Sequence, residues 1–160
     1  MQKTSLRTIR KKRRALVLRV LLVTIAWALM TTTIILAFVF QGFLVPGIIT
    51  QYRPSGNYAF LGYALVTLVA IASGMMLRDI SATVASFIGS IGITVVMEYF
   101  VLTLPSSFGQ VDPGLLLQVG LAPLPDTAIT IVFYSLFPVA IILGFVGSLI
   151  GATLGESLLD

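Results

Sequence analysis

Four apolar segments, each about as long as a bilayer's hydrocarbon core is thick, constrain this chain more than any other feature. A helix needs about 20 mainly apolar residues to cross that core. The segments run from about Val20 to Phe43, Tyr58 to Met76, Ala82 to Leu104 and Thr127 to Leu154. Of the 160 residues, 58% are hydrophobic and only 10% are charged, which excludes an ordinary soluble domain and an intrinsically disordered chain. We therefore expect an all-α, integral membrane four-helix transmembrane bundle.

The distribution of basic residues predicts the orientation of this bundle. Eight of the ten Lys and Arg residues lie in the first 19 positions, which we interpret as a basic cytoplasmic tail before the transmembrane domain of residues 20–154. Arg78 falls on the same side, and only Arg53 falls on the other. We expect a multi-pass protein of the cell membrane, with the N terminus and a short C-terminal segment (155–160) in the cytoplasm. The first apolar run is longer than a signal-peptide core, so we interpret it as an uncleaved anchor.

The connections between spans also carry signals. Asp79 or Ser81 is placed to cap the third helix. The second outer loop contains Asp112, Pro113, an apolar run and Gly120, an order that predicts a short helix lying at the membrane interface. Pro138 lies inside the fourth span, where its missing N–H predicts a bend.

Small residues spaced four apart form the strongest pattern. Such rows line one helix face and let two helix backbones approach closely, which favours helix association inside a membrane. Two interpretations are open: packing between helices of one chain, or an interface with a second copy or a larger membrane complex. The rows, which the topology places toward the cytoplasmic side, contain Gly144, Gly147, Gly151 and Gly155 in the fourth span, Ala85 and Gly89 in the third, and Gly74 in the second.

Glu98 is the only ionisable residue well inside a predicted span. One hypothesis makes it an ion- or proton-coupling carboxylate, neutral when unpaired and ionised when a cation is bound. The alternative is that its side chain reaches the outer surface or pairs with Arg53, which the topology places on the same side. Thr31, Thr32 and Thr33 form a polar patch in the first span, and we expect their hydroxyls to bond back to the helix backbone.

The basic tail places several cationic side chains on one helical face. Arg7, Arg10, Lys11 and Arg14 share that face and are expected to contact anionic lipid headgroups. No aromatic residue lies between them, so nucleic-acid binding is not expected. Because the chain has neither Cys nor His, thiol chemistry and most metal sites are excluded, and no cofactor site is predicted. The few acids are divided between the two sides, so we do not expect an enzyme.

Two functions are compatible with these features. The first is a non-catalytic accessory or assembly subunit that interacts through its small-residue helix faces. The alternative is a small oligomeric transporter or channel that uses Glu98 to couple ions or protons.

Overall fold

The computed structural model describes residues 2–40, 56–107 and 125–158, and every element in these ranges is helical apart from short turns. Side chains are described in the ranges 14–39, 59–104 and 128–158. The helices are α1 (Gln2–Phe40), α2 (Gly56–Leu77), α3 (Ile80–Ser107), α4 (Pro125–Leu136) and α5 (Val139–Ser157). Four segments of these helices are long and apolar enough to cross a membrane: Arg14–Val39, Ala59–Leu77, Ile80–Leu104 and Val139–Ser157. An all-helical fold with four candidate spans is thus confirmed.

Helix α1 continues from the basic tail into the first span without a break. The side chain of Arg19 donates a hydrogen bond to the carbonyl oxygen of Met76, near the end of α2. This contact defines one end of the bundle, which also holds Arg78, Asp79 and Glu156. We call it the basic end.

A tight turn joins α2 to α3 at the basic end. Arg78 adopts a left-handed conformation with φ of 60°, and its N–H donates to Gly74 O at 3.0 Å, as in a common helix C-terminal motif. Asp79 Oδ1 accepts a hydrogen bond from the N–H of Ser81 at 3.0 Å. The predicted cap of the third helix is therefore Asp79.

Helices α2 and α5 form the most extensive helix pair in the bundle. They run parallel, since Thr67, Ile71 and Met75 face Gly147, Gly151 and Gly155 in the same order. By this register, Val139 lies beside the start of α2, so α5 crosses the full height of the bundle. Helix α3 packs between α1 and the α4–α5 segment.

The fourth predicted span was expected to be one bent helix, but it consists of two helices. It is divided at Phe137 and Pro138 into α4 and α5. Proline has no N–H to donate to the carbonyl of Tyr134, which removes one helical hydrogen bond at this point. Helix α4 then packs against α3 at the end of the bundle away from the basic end.

Two apolar clusters occupy the interior. The first lies toward the end opposite the basic end and joins α1, α2, α3 and α4 with the start of α5; its buried members include Ile35, Val66, Leu102, Val132 and Leu136. The second lies nearer the middle and contains Trp27, Ala70 and Phe87, with the rings of Trp27 and Phe87 5.7 Å apart.

Candidate functional site

The glycines of α5 pack directly on the backbone of α2. A methyl group on Gly155 would lie 2.6 Å from Met75 O, and one on Gly147 would lie 3.1 Å from Thr67 O. A methyl group on Gly151 would lie still closer to the carbonyl oxygen of Ile71. One on Gly74 of α2 would lie similarly close to the carbonyl oxygen of Ser148 in α5. In this chain, these glycines therefore form a close intramolecular seam, which we call the glycine seam.

The remaining small residues of the sequence pattern have different surroundings. A methyl group on Gly144 would lie 3.3 Å from the Phe87 ring, and one on Gly89 would lie 3.2 Å from the Thr24 methyl group. Ala85 is exposed on the surface of α3. The glycines of the pattern thus lie at contacts among α1, α2, α3 and α5, whereas Ala85 faces away from the other helices.

Glu98 is enclosed within the bundle and does not reach the surface. Its side chain is only 1% exposed. The residue lies about 27 Å along α3 from the basic end, toward the opposite end of the bundle. Ser135 of α4 lies 3.3 Å from Oε2, whereas Oε1 has no hydrogen-bond partner among the described residues. Arg53, the predicted pairing partner, lies outside the described residues. The carboxyl group therefore has one polar neighbour in the described structure and one unsatisfied oxygen.

The hydrogen bonds of Ser135 are compatible with both protonation states of Glu98. The Ser135 hydroxyl lies 3.0 Å from Val132 O and 3.3 Å from Glu98 Oε2, but it has only one proton to donate. If that proton goes to the Val132 carbonyl, the contact with Glu98 is a hydrogen bond only when the carboxyl group donates. If it goes to Glu98, the carboxyl group accepts. Ser135 thus accommodates a carboxyl group in either form.

A row of polar residues extends from Glu98 along the buried face of α3. It contains Thr83, Ser86, Ser90, Thr94 and Glu98, all of them buried. Their spacing of three or four residues places them on one helix face, over about 22 Å. We call this row the polar file. The sequence analysis did not identify this row, although the regular spacing of Ser86, Ser90, Thr94 and Glu98 can be read from the sequence.

A hydroxyl group and a backbone carbonyl of α1 bond to the polar file. Thr24 and Ser86 form a hydrogen bond at 2.9 Å, and Thr94 donates to Ala28 O at 3.4 Å. Thr33 bonds back to Leu29 O at 2.8 Å, as predicted. The same prediction is wrong for Thr31 and Thr32, which are buried and have no hydrogen-bond partner among the described residues.

A small cavity lies beside the polar file, where all five helices meet. Its volume is about 20 Å³, and its polar lining consists of Thr31, Ser90 and Thr94. Apolar side chains including Trp27 and Leu136 complete its walls. We call it the central cavity.

The described charged side chains other than Glu98 lie toward the basic end. They are Arg14, Arg19, Arg78, Asp79 and Glu156. Arg14 is exposed, whereas the side chains of Arg7, Arg10 and Lys11, the other predicted lipid contacts, lie outside the described residues. The predicted interfacial helix after Asp112 also lies outside them. Within the described part of the chain, Glu98 therefore has no counter-charge near it.

Comparisons with protein-family models, with curated proteins and with solved structures give no match to this chain.

Proposed function

We propose that this small membrane protein transports protons or a small monovalent cation, with Glu98 as the residue that binds the transported or coupling ion. The observation that carries this proposal is the enclosed carboxyl group, which is 1% exposed and has one oxygen without a partner among the described residues. An acidic side chain inside a membrane costs about 2.5–3.5 kcal/mol at the helix centre, and less near an interface. A Leu at this position would avoid that cost, so a functional role explains the acid better than packing does.

The chemistry of the site suits a proton or a hard monovalent cation. A buried charge without a counter-charge is unfavourable, so a carboxyl group here is stable either with a proton or with a bound cation. The Ser135 hydroxyl accepts from the protonated form or donates to the ionised form. Exchange between these two states is what a coupling carboxylate requires.

The distribution of charge supports an orientation for this transporter. The basic end holds Arg19 and Arg78, and the tail of α1 continues beyond it. Under the positive-inside rule, this end faces the cytoplasm of a cell membrane, and Glu98 lies toward the outer half. The protein then functions as a homo-oligomer or within a larger membrane complex, its basic tail contacting anionic lipids.

The accessory-subunit hypothesis has less support from the geometry. It depends on small-residue faces that recruit a partner, but Gly147, Gly151 and Gly155 pack against α2 of the same chain. A partner would have to use other surfaces. A measurement of ion flux separates the two hypotheses.

The test is ion flux into liposomes that contain the purified full chain. Proton uptake is followed with an entrapped pH-sensitive dye and Na⁺ uptake with a radioactive tracer, each driven by an imposed membrane potential. We expect Glu98→Gln to abolish the flux, because an amide cannot exchange a proton or balance a cation. The matched control is Glu156→Gln, an exposed acid at the basic end, which should retain it. Wild-type flux in Glu98→Gln would refute the assigned role of Glu98, whereas no flux in the wild-type protein would refute the transport proposal and favour the subunit hypothesis.

A further inference from the structure

A groove runs between α1 and α2 on the outside of the bundle. Its walls come from these two helices, and its volume is about 660 Å³, within the range of about 300–1,000 Å³ that small-molecule sites occupy. Leu22, Leu68 and Met76 line the groove and are largely exposed. The groove therefore opens to the lipid that surrounds a membrane-spanning bundle. We call it the α1–α2 groove.

The α1–α2 groove uses other helix faces than the internal contacts of the bundle. On α2, Ile71 faces α5, whereas the next residue, Ala72, lines the groove. Successive residues of a helix are turned by about 100° around its axis. On α1, Thr24 bonds to Ser86 of α3, whereas Ala26 lines the groove. In the described bundle, packing on α3 and α5 therefore leaves the groove uncovered.

A cationic side chain lies at the basic end of the α1–α2 groove. Arg19 precedes Leu22 and Val23 by three and four residues, so it lies on the face of α1 that lines the groove. Its side chain donates a hydrogen bond to the carbonyl oxygen of Met76, which itself lines the groove. The guanidinium group has five N–H donors, and the side chain is exposed. Arg19 can therefore hold an anion at the mouth of the groove without losing its contact with α2.

The length of the α1–α2 groove matches one leaflet of a bilayer. The groove extends from Leu22 to Ile34 along α1 and from Met76 to Leu65 along α2. Each of these stretches is about 16–18 Å long. A hydrocarbon core is about 30 Å thick, so the groove covers about one leaflet, starting at the basic end. A lipid acyl chain fits this length, whereas a spanning helix of a second copy would cross both leaflets and leave half of its packing face without a groove.

We propose that the α1–α2 groove binds an anionic phospholipid of the leaflet at the basic end, with one acyl chain in the groove and the phosphate group at Arg19. The planar fork of an arginine matches two oxygens of a phosphate group. Arg78, in the turn after α2, adds a second positive charge at this end, whereas the carboxylate of Asp79 is engaged in capping α3. A zwitterionic headgroup carries its own ammonium group, which the two arginines disfavour, so the site selects a lipid with net negative charge. This inference does not depend on the function of Glu98.

Trp27 reports on the occupant directly, because it is the single Trp of the chain and lines the α1–α2 groove. Bromine atoms on an acyl chain quench Trp fluorescence at short range. The full chain is placed in bilayers with equal amounts of phosphatidylcholine and phosphatidylglycerol, and each lipid in turn carries the bromine. We expect quenching of Trp27 to show phosphatidylglycerol enriched at the groove by about fivefold, the effect of one Arg beside anionic headgroups. Equal quenching by the two brominated lipids would overturn the proposal.

Two arginines at the same end of the bundle separate a site from a general attraction. Arg19→Gln removes the charge at the mouth of the groove and should abolish the preference for phosphatidylglycerol. Arg14→Gln is the matched control, since Arg14 is also exposed but lies about 140° away around α1. This variant should keep the preference. Equal loss in both variants would show that the basic end attracts anionic lipid without a defined site, and would overturn the proposal.

A second pair of variants tests where the acyl chain lies. Ala72→Leu adds bulk inside the α1–α2 groove without changing any charge, so it should reduce quenching by brominated phosphatidylglycerol to the level of brominated phosphatidylcholine. Ala85→Leu adds the same bulk at an exposed position of α3 and should leave the quenching unchanged. Wild-type quenching in Ala72→Leu would place the lipid elsewhere and refute the site. Weak quenching of the wild-type protein by both lipids, rising as the protein is diluted with lipid, would assign the groove to a second copy of the chain and refute it as well.

Discussion

Replacing Gly151 by Ala tests the closest helix contact in the protein. The added methyl group would lie 2.8 Å from the carbonyl carbon of Ile71 and 2.9 Å from its Cα, and nearer still to its carbonyl oxygen. Ordinary contacts between carbon atoms are about 3.5–4.0 Å, so α2 and α5 would have to separate by about 1 Å. A gap of that size forfeits a quarter to a half of the attraction between facing atoms. Because the obstructing atoms are backbone, no side chain can rotate to relieve the contact.

The expected cost is about 1–3 kcal/mol of unfolding free energy, the usual range for overpacking a close interface. Gly92→Ala is the matched control, since no atom lies within 4 Å of a methyl group at that position. There the same chemical change should stabilise α3 by about 0.5–1 kcal/mol through backbone entropy. The two variants should therefore differ by about 1.5–4 kcal/mol, or about 10- to 800-fold in the unfolding equilibrium.

The assay is equilibrium unfolding in mixed micelles of a mild detergent with increasing sodium dodecyl sulfate. The chain has a single Trp, and Trp27 is only 3% exposed, so its fluorescence reports the loss of packing. Gly151→Ala should unfold at a lower dodecyl sulfate fraction than the wild-type protein, and Gly92→Ala at the same or a higher fraction. Equal midpoints for the two variants would refute a close seam between α2 and α5.

Two further substitutions test packing and backbone geometry. Trp27→Ala should lower the unfolding free energy by about 3–5 kcal/mol, because it removes a buried ring that packs against Phe87. Met30→Ala, at a side chain 56% exposed on the same helix, should cost much less; equal losses by circular dichroism would contradict the assigned core. Arg78→Gly should raise the unfolding free energy by about 1 kcal/mol, since glycine adopts a φ of 60° without steric cost. A lower unfolding midpoint in that variant would argue against the left-handed turn.

The number and approximate position of the spans could be predicted because the length and apolarity of a segment can be read from that segment alone. The division at Phe137 and Pro138 was harder to anticipate. Proline predicted a disturbance, but whether a helix bends or ends there depends on what packs beside it. Helix α4 packs against α3 and supplies Ser135 to Glu98, a tertiary contact with no local signature.

The glycine seam and the polar file were predictable to different degrees. The spacing of Gly147, Gly151 and Gly155 identified a close-packing face, but its partners are backbone carbonyls of α2, which any sequence provides. Glu98 was identified from its charge alone. Its enclosure and the unsatisfied hydroxyl of Thr31 depend on how α1 and α4 are rotated, and a single sequence does not state those rotations.

The parallel pairing of α2 and α5 has a consequence for biosynthesis. Thr67 and Gly147 face each other across the seam. Gly147 follows Thr67 by about 80 residues, which take about 4–16 s to synthesise at a translation rate of about 5–20 residues per second. During that time the face of α2 that later contacts α5 is not covered by α5. A nascent chain that ends before Val139 leaves that face open to other transmembrane helices. Insertion of α5 thus closes the α2 face, and termination before it would yield a species suited to promiscuous association or to degradation.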